Sequence, residues 1–303
     1  MLRTELHCHN VFSNGHVGDL EPPFDSNVTI NEQLQKSLES KLDILFVTNH
    51  NTLDGFKQIT EYKNNHEKFS SLEIYPAVEI TTDKEAHVLV YGLHDEIKSN
   101  QSIDEILDAA KSQDAVTIAP HPFSLVDALR DDSLKCDLFE VFNSSNVDIY
   151  SNKKAEIFAK ENNLLTTVGS DSHISSTIGR CTNMIDAQNN LDDVIYAMKK
   201  GKISIEKTEY ITRSEVLEHI RYKIENSKEY IDQYVKEFYP NYFWLFNIMY
   251  KSYMFTKKSI IWDITFKIAL FGLRRISYKI NFEGYDPYAF RTRDIPTITK
   301  MIF

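Results

Sequence analysis

The first two-thirds of the chain alternates short apolar runs with longer amphipathic stretches, and this alternation strongly restricts the folds available to it. The apolar runs are typical of buried strands and lie at 43–47, 74–80, 87–91, 115–119, 137–142 and 164–168. The amphipathic stretches have helical spacing and lie at 30–40, 53–64, 103–112, 150–162 and 191–200. Because strands that alternate with helices usually form parallel β/α units, the sequence predicts an α/β fold with a barrel or a barrel-like sheet.

Charge divides the chain into two parts. Its 303 residues suffice for one large domain or two ordinary ones, and the formal net charge is -10. Residues 1–206 carry 18 basic and 33 acidic side chains, whereas residues 207–303 carry 16 and 11. The alternation also ends near residue 206, and a polar helical stretch follows at 214–238. We therefore predict an α/β domain at 1–206 and a basic, aromatic-rich helical extension at 207–303.

The sequence suggests neither export nor a membrane span. The three cysteines, Cys8, Cys136 and Cys181, form no CxxC pair, so we expect no disulfide framework and a reducing cytoplasm. We expect no signal peptide. No uncharged apolar run reaches the roughly 18 residues of a spanning helix.

Histidines and carboxylates recur where the predicted strands end. His7 and His9 are two residues apart, and side chains at this spacing on a strand point to the same side. Six of the ten histidines take part in this pattern. The later members of the set are His50, Glu79, His87, His121, Glu140, Asp171 and His173. Since active sites of such folds gather at the carboxyl ends of the strands, these residues are predicted to converge on a metal centre.

Each of these residues also has an ordinary interpretation. A single His121 or Glu140 is more often a hydrogen-bonded polar residue at a strand end, and Glu140 could instead orient a ligand histidine. Cys8 lies between two candidate ligands, points the other way and is predicted to be a small core residue. The coincidence of so many positions favours the metal site. The remaining histidines are predicted to be surface or packing residues: His16, His66, His94 and His219.

The ordered motifs resemble those of the PHP (polymerase and histidinol phosphatase) family. They are His7-x-His9, Thr48-x-His50, Glu79, His87, His121 and Asp171-x-His173, and the resemblance covers about residues 1–205. It implies a distorted (β/α)7 barrel, here with a C-terminal helical extension, and two or three divalent metal ions that serve phosphoester hydrolysis. The chain looks most like the short stand-alone phosphoesterases of the family.

The resemblance also implies three groups of ligands. The first ion would be held by His7, His9, Glu79 and Asp171. The second would share Glu79 and be held by His87 and His121. The third would be held by His50, His173 and Asn14.

The third group departs from the family pattern, because Asn14 and Asn49 stand where the family usually has aspartate. Asn14 can offer a carbonyl oxygen but brings no charge, so this ion is predicted to bind more weakly than the others. Asp19 or His16 could substitute, and the sequence does not choose between them.

All of these ligand atoms are nitrogen or oxygen, which is compatible with Mn, Zn or Fe. By the resemblance, a metal-bound hydroxide would attack phosphorus. If the third ion is absent, His173 or His50 could protonate the leaving oxygen. Arg180 follows the Asp171–His173 motif in a Gly-Arg turn and is the candidate for binding the phosphate oxygens. An ordinary surface arginine would have the same sequence signature.

The resulting hypothesis is a cytoplasmic, metal-dependent phosphoesterase, a phosphatase or an exonuclease, that acts on a nucleotide or a short oligonucleotide. A phosphatase of a small phosphomonoester, such as histidinol phosphate, is a second alternative. A third is a catalytically silent metal-binding module that recruits a partner through its C-terminal third. The departures at Asn14 and Asn49 are the only sequence support for the silent module.

Segment 239–282 combines aromatic and basic residues, with Asp263 as its only acid. Three interpretations remain open. The segment could be a helical cap on the barrel or on a second subunit of an oligomer. It could be a nucleic-acid surface, with cations for phosphates and aromatic rings for stacking. It could also lie on a membrane surface and make the protein peripheral. Residues 284–296 are predicted to be a loop-like tail.

Overall fold

A nearly closed, barrel-like sheet forms the centre of the molecule. The computed structural model describes residues 1–19, 21–257 and 259–302, so Lys258, one of the basic residues noted in 239–282, lies outside the described residues. Within them the strands are β1 (Leu2–Glu5), β2 (Ile44–Val47), β3 (Glu73–Thr81), β4 (His87–Tyr91), β5 (Val116–Ala119), β6 (Leu138–Asn143), β7 (Thr166–Gly169), β8 (Thr182–Ile185) and β9 (Ile203–Lys207). Their order is β7-β6-β5-β4-β3-β2-β1-β8-β9, and β7 lies close to β8 and β9. The predicted α/β, barrel-like fold is confirmed.

The direction of some strands differs from the parallel arrangement that the alternation predicted. The pairs β1–β2, β2–β3, β5–β6 and β6–β7 are parallel, whereas β4 is antiparallel to β3 and β5. Residues 82–86 between β3 and β4 are too few for a crossover helix, so a hairpin forms instead. This reversal pairs His87, the first residue of β4, with Thr81, the last residue of β3. The start of β4 therefore lies at the same edge as the carboxyl ends of the parallel strands.

Helices cover the sheet close to where the sequence predicted them. They are α1 (Ile30–Glu39), α2 (Asp54–Asn64), α3 (Ile103–Ser112), α4 (Tyr150–Asn162) and α5 (Leu191–Lys199). Helices α1 and α3 begin with capping boxes at Thr29 and Ser102, in which the cap side chain and the glutamate three residues later each accept a backbone N–H. Apolar side chains of these helices pack with those of the sheet in the core.

The extension is helical, as predicted, but its elements are divided differently. Its helices are α6 (Arg213–Asn226), α7 (Lys228–Phe238), α8 (Phe243–Thr256), α9 (Ile260–Glu283) and α10 (Ile295–Ile302). The stretch predicted as one helix is broken at Ser227, and α10 begins where the predicted tail ends. The C-terminal part of α9 packs on the barrel, where Ser277 Oγ donates to Asp148 Oδ1 over 2.6 Å.

Among the helices of the described residues, none combines the length and the apolar character needed to cross a membrane.

Candidate metal centre

Glu79, near the end of β3, lies between two sets of histidine nitrogens. Its Oε2 is 3.3 Å from Nε2 of His7 and from Nε2 of His9. The same oxygen is 3.5 Å from Nδ1 of His50. One carboxylate oxygen therefore faces the histidines that follow β1 and β2.

The second oxygen of Glu79 faces another pair of histidines. Oε1 is 3.1 Å from Nδ1 of His87 and 3.1 Å from Nε2 of His121. The antiparallel direction of β4 places His87 here. A carboxylate with a separate set of imidazoles on each oxygen has the arrangement of a ligand shared by two metal ions.

Asp171 and His173 complete the edge after β7. Oδ1 of Asp171 is 3.3 Å from Nε2 of His9 and 3.5 Å from Nε2 of His7. Asp171 has a φ of 50° and His121 a φ of 28°. L-residues rarely adopt this left-handed region, and such strained backbone is concentrated at functional sites.

Asp25 is part of the same cluster, although the sequence did not indicate it. This fully buried carboxylate has Oδ1 3.1 Å from Nε2 of His173. Its Oδ2 is 3.8 Å from Nε2 of His50 and 3.9 Å from Nδ1 of His9. Donor atoms of these four residues lie within 4.8 Å of one another. Asp25 precedes α1 in a loop and belongs to no recognisable motif, so only the fold reveals its place.

Asn14, the predicted third-site ligand, has a different task. Its Oδ1 accepts the backbone N–H groups of Asp25 (2.6 Å) and Ser26 (3.0 Å). Its Nδ2 donates to the Ser26 carbonyl and to the Tyr222 hydroxyl, each over 3.0 Å. With both ends of the amide engaged, Asn14 holds the loop of Asp25 in place, and these hydrogen bonds favour a structural role over the predicted role as a metal ligand. The substitutes considered from the sequence, Asp19 and His16, are both exposed.

Two further carboxylates support the histidines from outside the cluster. Glu140 Oε1 is 3.1 Å from His7 Nδ1, and Glu140 Oε2 accepts the backbone N–H of His121 over 2.7 Å. Asp127, which the sequence did not single out, has Oδ1 3.3 Å from His121 Nδ1. Carboxylates in such positions fix the orientation of ligand imidazoles and increase their basicity.

Several polar atoms of the cluster have no hydrogen-bond partner among the described residues. They are His9 Nε2, His50 Nδ1, both ring nitrogens of His87 and both carboxylate oxygens of Asp25. Buried polar atoms are normally hydrogen-bonded. Nitrogens and carboxylate oxygens that approach one another without such bonds are suited to share a cation, so the residues fit divalent metal ions.

The charges of the cluster shift the pKa values of its members in opposite directions. Burial alone would raise the pKa of Glu79, but the surrounding histidines hold it well below its usual value. Burial, and then the charge of His173, lower the pKa of His9 to about 3. Burial alone would also lower the pKa of His87, but Glu79 and the carboxylates beside it raise it to about 9. Since ionised carboxylates and neutral imidazoles are the forms that bind metals, metal binding at such a histidine must displace a proton.

Helix α6 of the extension covers one side of the cluster. Lys223 Nζ is 3.3 Å from Asp25 Oδ1 and 3.7 Å from Glu21 Oε2. His219 stacks on His173 with ring centroids 4.6 Å apart, and its Nε2 is 2.9 Å from the Asp25 carbonyl oxygen. The sequence placed His219 outside the centre, because the face that α6 turns to the barrel has no local signature.

Arg180, predicted to bind the phosphate, is occupied elsewhere. Its guanidinium lies 2.8 Å from Glu209 Oε1 and 2.5 Å from Glu215 Oε1. Ser176 Oγ donates to the same oxygen of Glu215. Arg180 therefore ties the start of α6 to the barrel, and its two ion pairs favour this structural role over the predicted binding of phosphate.

Comparisons with known proteins agree with this architecture. Residues 150–203 match a family model described as PHP-associated. The chain is 29% identical over 151 residues to an uncharacterized protein of Methanocaldococcus jannaschii, an alignment that covers 48% of this chain and 85% of that protein.

Two solved structures share the fold at low sequence identity. PsfC from Pseudomonas syringae PB-5123 matches with a TM-score of 0.51 and 18% identity, over 74% of this chain and 99% of that one. The lesion-specific endonuclease PfuEndoQ from Pyrococcus furiosus matches with a TM-score of 0.50 and 16% identity, over 67% of this chain and 57% of that one. The segment matched by the family model contains Asp171 and His173. The resemblance to the PHP family that the sequence motifs indicated is thus confirmed, and this chain carries the PHP-associated segment of that family.

Proposed function

We propose that the chain is a metal-dependent phosphoesterase that hydrolyses a terminal phosphate ester of a nucleotide or a short oligonucleotide. The observation that carries this proposal is the convergence of buried histidines and carboxylates on Glu79, with several polar atoms that have no hydrogen-bond partner among the described residues. A cluster of this composition is costly to bury unless a cation neutralises it.

Three groups of donors would hold the ions, and the first two groups share Glu79. The first is His7, His9, Glu79 and Asp171. The second is His87, His121 and Glu79, with Asp127 beside it. The third is Asp25, His50 and His173, so that Asp25 supplies the carboxylate that Asn14 lacks. Bound divalent ions would act as Lewis acids on the phosphate and lower the pKa of a water molecule.

The third group includes His50 and His173, which the sequence also made candidates for protonating the leaving oxygen. With Asp25 beside them, His50 and His173 have a carboxylate partner for binding a cation. We therefore assign His50 and His173 to metal binding rather than to proton transfer.

Lys223 is better placed than Arg180 to bind the phosphate. Its ammonium group lies beside Asp25 at the edge of the cluster, whereas Arg180 is held by two glutamates. Lys223 would bind non-bridging oxygens of the substrate and orient the phosphoryl group towards the cluster.

The exposure of the cluster favours a terminal phosphate. Asp171 and His173 are only 14% and 12% exposed, and Glu79 is 1% exposed. Helix α6 covers the adjacent side. A phosphate at the end of a small or single-stranded molecule can enter such an opening more easily than the backbone of a duplex.

The test is phosphate release with added Mn²⁺ from three substrates: a nucleoside bisphosphate, a short 5′-phosphorylated oligonucleotide and histidinol phosphate. We expect His9→Ala to lose turnover and bound metal together. We expect Lys223→Met to keep its metal and lose about 100-fold in kcat/KM, as for removal of one transition-state donor. Lys36→Met, at a half-buried lysine of α1 that pairs with Glu39, is the control and should equal the wild type.

Two results would contradict the proposal. Wild-type protein that binds no metal after reconstitution and releases no phosphate would favour the silent module. Full activity of His9→Ala with its metal retained would remove the Glu79 cluster from the reaction. Preference for histidinol phosphate would replace the nucleotide substrate and leave the phosphoesterase reaction intact.

A further inference from the structure

Helix α9 exposes a continuous apolar stripe. Its members follow one another at helical spacing and are 71%, 51%, 67% and 62% exposed: Ile260, Ile264, Ile268 and Phe271. Residues three, four or seven apart lie on the same face of a helix. Side chains on the opposite face of α9, such as Trp262 and Phe266, line an apolar groove of about 360 Å³ that residues of α6, α7 and α8 also line. The stripe therefore points away from the groove.

Helix α8 has the same organisation. Trp244, Ile248 and Phe255 follow one another at helical spacing and are 63%, 57% and 91% exposed. Its opposite face, with Met249 and Tyr253, lines the same groove. Two neighbouring helices thus each turn one apolar face inward and expose a second one.

Basic side chains accompany the two stripes. Lys251 on α8 and Lys267 on α9 are exposed and belong to the same faces by their spacing. The only acid of segment 239–282 is Asp263, and Arg213 lies 3.4 Å from it. The apolar faces are therefore bordered by basic side chains, and Asp263 is the only acidic residue of the segment.

A basic pocket adjoins the end of the α9 stripe. Its volume is about 460 Å³, and its lining includes Phe271 together with Arg274, Tyr278 and Lys279, with Glu283 at one side. Phe271 belongs both to the stripe and to the pocket. An apolar surface that runs directly into a cationic, aromatic pocket matches a molecule with an apolar body and an anionic head.

We propose that α8 and α9 attach the protein to the surface of an anionic lipid bilayer. The stripes insert among the acyl chains near the headgroups, Lys251 and Lys267 face the lipid phosphates, and the pocket at Arg274 receives a headgroup. Amphipathic helices with such faces lie in the bilayer interface, and their binding combines apolar burial with attraction to anionic lipids.

The charge of the whole chain favours one orientation on such a surface. Residues 1–206 carry 33 acidic and only 18 basic side chains, whereas residues 207–303 carry 11 and 16. An anionic surface repels the first part and attracts the second. The extension therefore approaches the bilayer while the barrel turns away from it.

The composition of the stripes argues against the other partners of a basic, apolar surface. The α9 stripe is largely aliphatic, and isoleucine cannot stack on nucleic-acid bases as aromatic rings do. A two-fold contact between copies of the chain would bring the lysines of one copy towards those of the other, with Asp263 as the only acid of the segment.

The experiment is flotation of the full-length protein with phosphatidylcholine vesicles that contain either no phosphatidylserine or about 30% of it, a fraction chosen to give a strongly anionic surface. We expect binding to the anionic vesicles, and weaker binding at high salt. The double variant Ile264→Glu, Ile268→Glu should bind at least about tenfold more weakly, since each isoleucine loses its apolar burial.

A matched control separates the stripe from added charge. Leu134→Glu with Tyr196→Glu introduces the same charge at barrel residues that are 47% and 57% exposed, and it should float like the wild type. Circular dichroism and metal content should be unchanged in both variants. This inference is independent of the proposed reaction, because His9→Ala should bind the vesicles normally.

Four outcomes would overturn the inference. Wild-type protein could remain unbound to anionic vesicles. The control variant could lose as much binding as the stripe variant. Sedimentation could show a wild-type dimer that the stripe variant dissociates, in which case a second copy covers the surface. Binding of a single-stranded oligonucleotide that the vesicles do not displace would assign the surface of α8 and α9 to nucleic acid instead.

Discussion

Asn14 stands where the family motif usually has aspartate, and its amide holds the loop beside the cluster through hydrogen bonds. Its oxygen accepts two backbone N–H groups of the loop that carries Asp25, and its nitrogen donates to Ser26 and Tyr222. A carboxylate at this position could keep the first two bonds but would face the Ser26 carbonyl without a proton to donate. In the proposed third group of donors, Asp25, eleven residues later, supplies the carboxylate instead.

We predict that restoring aspartate at position 14 does not strengthen metal binding. Asn14→Asp should lower the free energy of unfolding by about 1–3 kcal/mol, because it leaves a buried acceptor unpaired. Asp25→Asn should fold normally and lose about one metal equivalent. Denaturant unfolding and elemental analysis of both variants measure these effects. A gain of metal in Asn14→Asp would return the third site to residue 14.

The predictability of the site depends on where each side chain comes from. His7, His9, Glu79, His121 and Asp171 lie at strand ends in recognisable motifs, so their convergence follows from the parallel part of the fold. Asp25, Asp127 and Lys223 come from loops and from a helix distant in sequence. Their positions depend on how those segments pack, and no local pattern of the sequence records this.

At the scale of single elements, Glu215 links the start of α6 to the barrel. One of its oxygens, Oε2, serves the capping box of Thr212, and the other, Oε1, binds Arg180. Since α6 also carries His219 and Lys223, the orientation of this helix determines whether they reach the cluster. We therefore expect Arg180 to act on the centre through α6.

This arrangement predicts that Arg180 and Glu215 act as a pair. Arg180→Ala and Glu215→Gln should each lower kcat/KM by a similar factor, about 5- to 30-fold for a coupling of 1–2 kcal/mol. The double variant should be no worse than either single one. Glutamine preserves the capping box, so loss of the cap does not confuse the comparison. The measurement is a double-mutant cycle on phosphate release.

An additive result would have a different meaning. If Arg180→Ala lost the same factor whether residue 215 were glutamate or glutamine, Arg180 would act independently of α6. A direct contact with the phosphate, as the sequence first predicted, would then be the better explanation.

Strand direction was the element-level property that the sequence could not supply. The run at 87–91 was predicted at its exact limits, yet its antiparallel direction follows from the short connection after β3. The helices of the barrel were predicted within one or two residues because their apolar periodicity and caps are local. The division of 214–238 at Ser227 was missed because the apolar spacing continues across the break.

At the scale of the whole molecule, the metal centre joins segments from the entire chain. Residues after β1, β2, β5 and β7 meet His87, at the start of β4, around Glu79, and α6 adds contacts from the extension. Without bound cations, the buried carboxylates of the cluster repel one another, and burial disfavours their ionised form. Folding stability and metal binding should therefore be coupled, because ions that bind only the folded state stabilise it by mass action.

We predict that removing the ions with EDTA at pH 7 lowers the unfolding temperature by about 5–10 °C, for a binding contribution of about 3–4 kcal/mol. Differential scanning calorimetry of metal-loaded and EDTA-treated protein measures the difference. The difference should shrink as the pH falls from 7 to 5. Protons then compete with the metals for the histidines, whose ordinary pKa is about 6.5.

The His9→Ala variant provides the control for this experiment, since it lacks a donor of the first group and should respond less to EDTA at every pH. Equal unfolding temperatures for loaded and stripped wild-type protein at pH 7 would contradict the coupling. The buried cluster would then have to be stable through its own ion pairs. Such ion pairs are present in the cluster, because Glu79 and the carboxylates beside it raise the pKa of His87 to about 9, although burial alone would lower it.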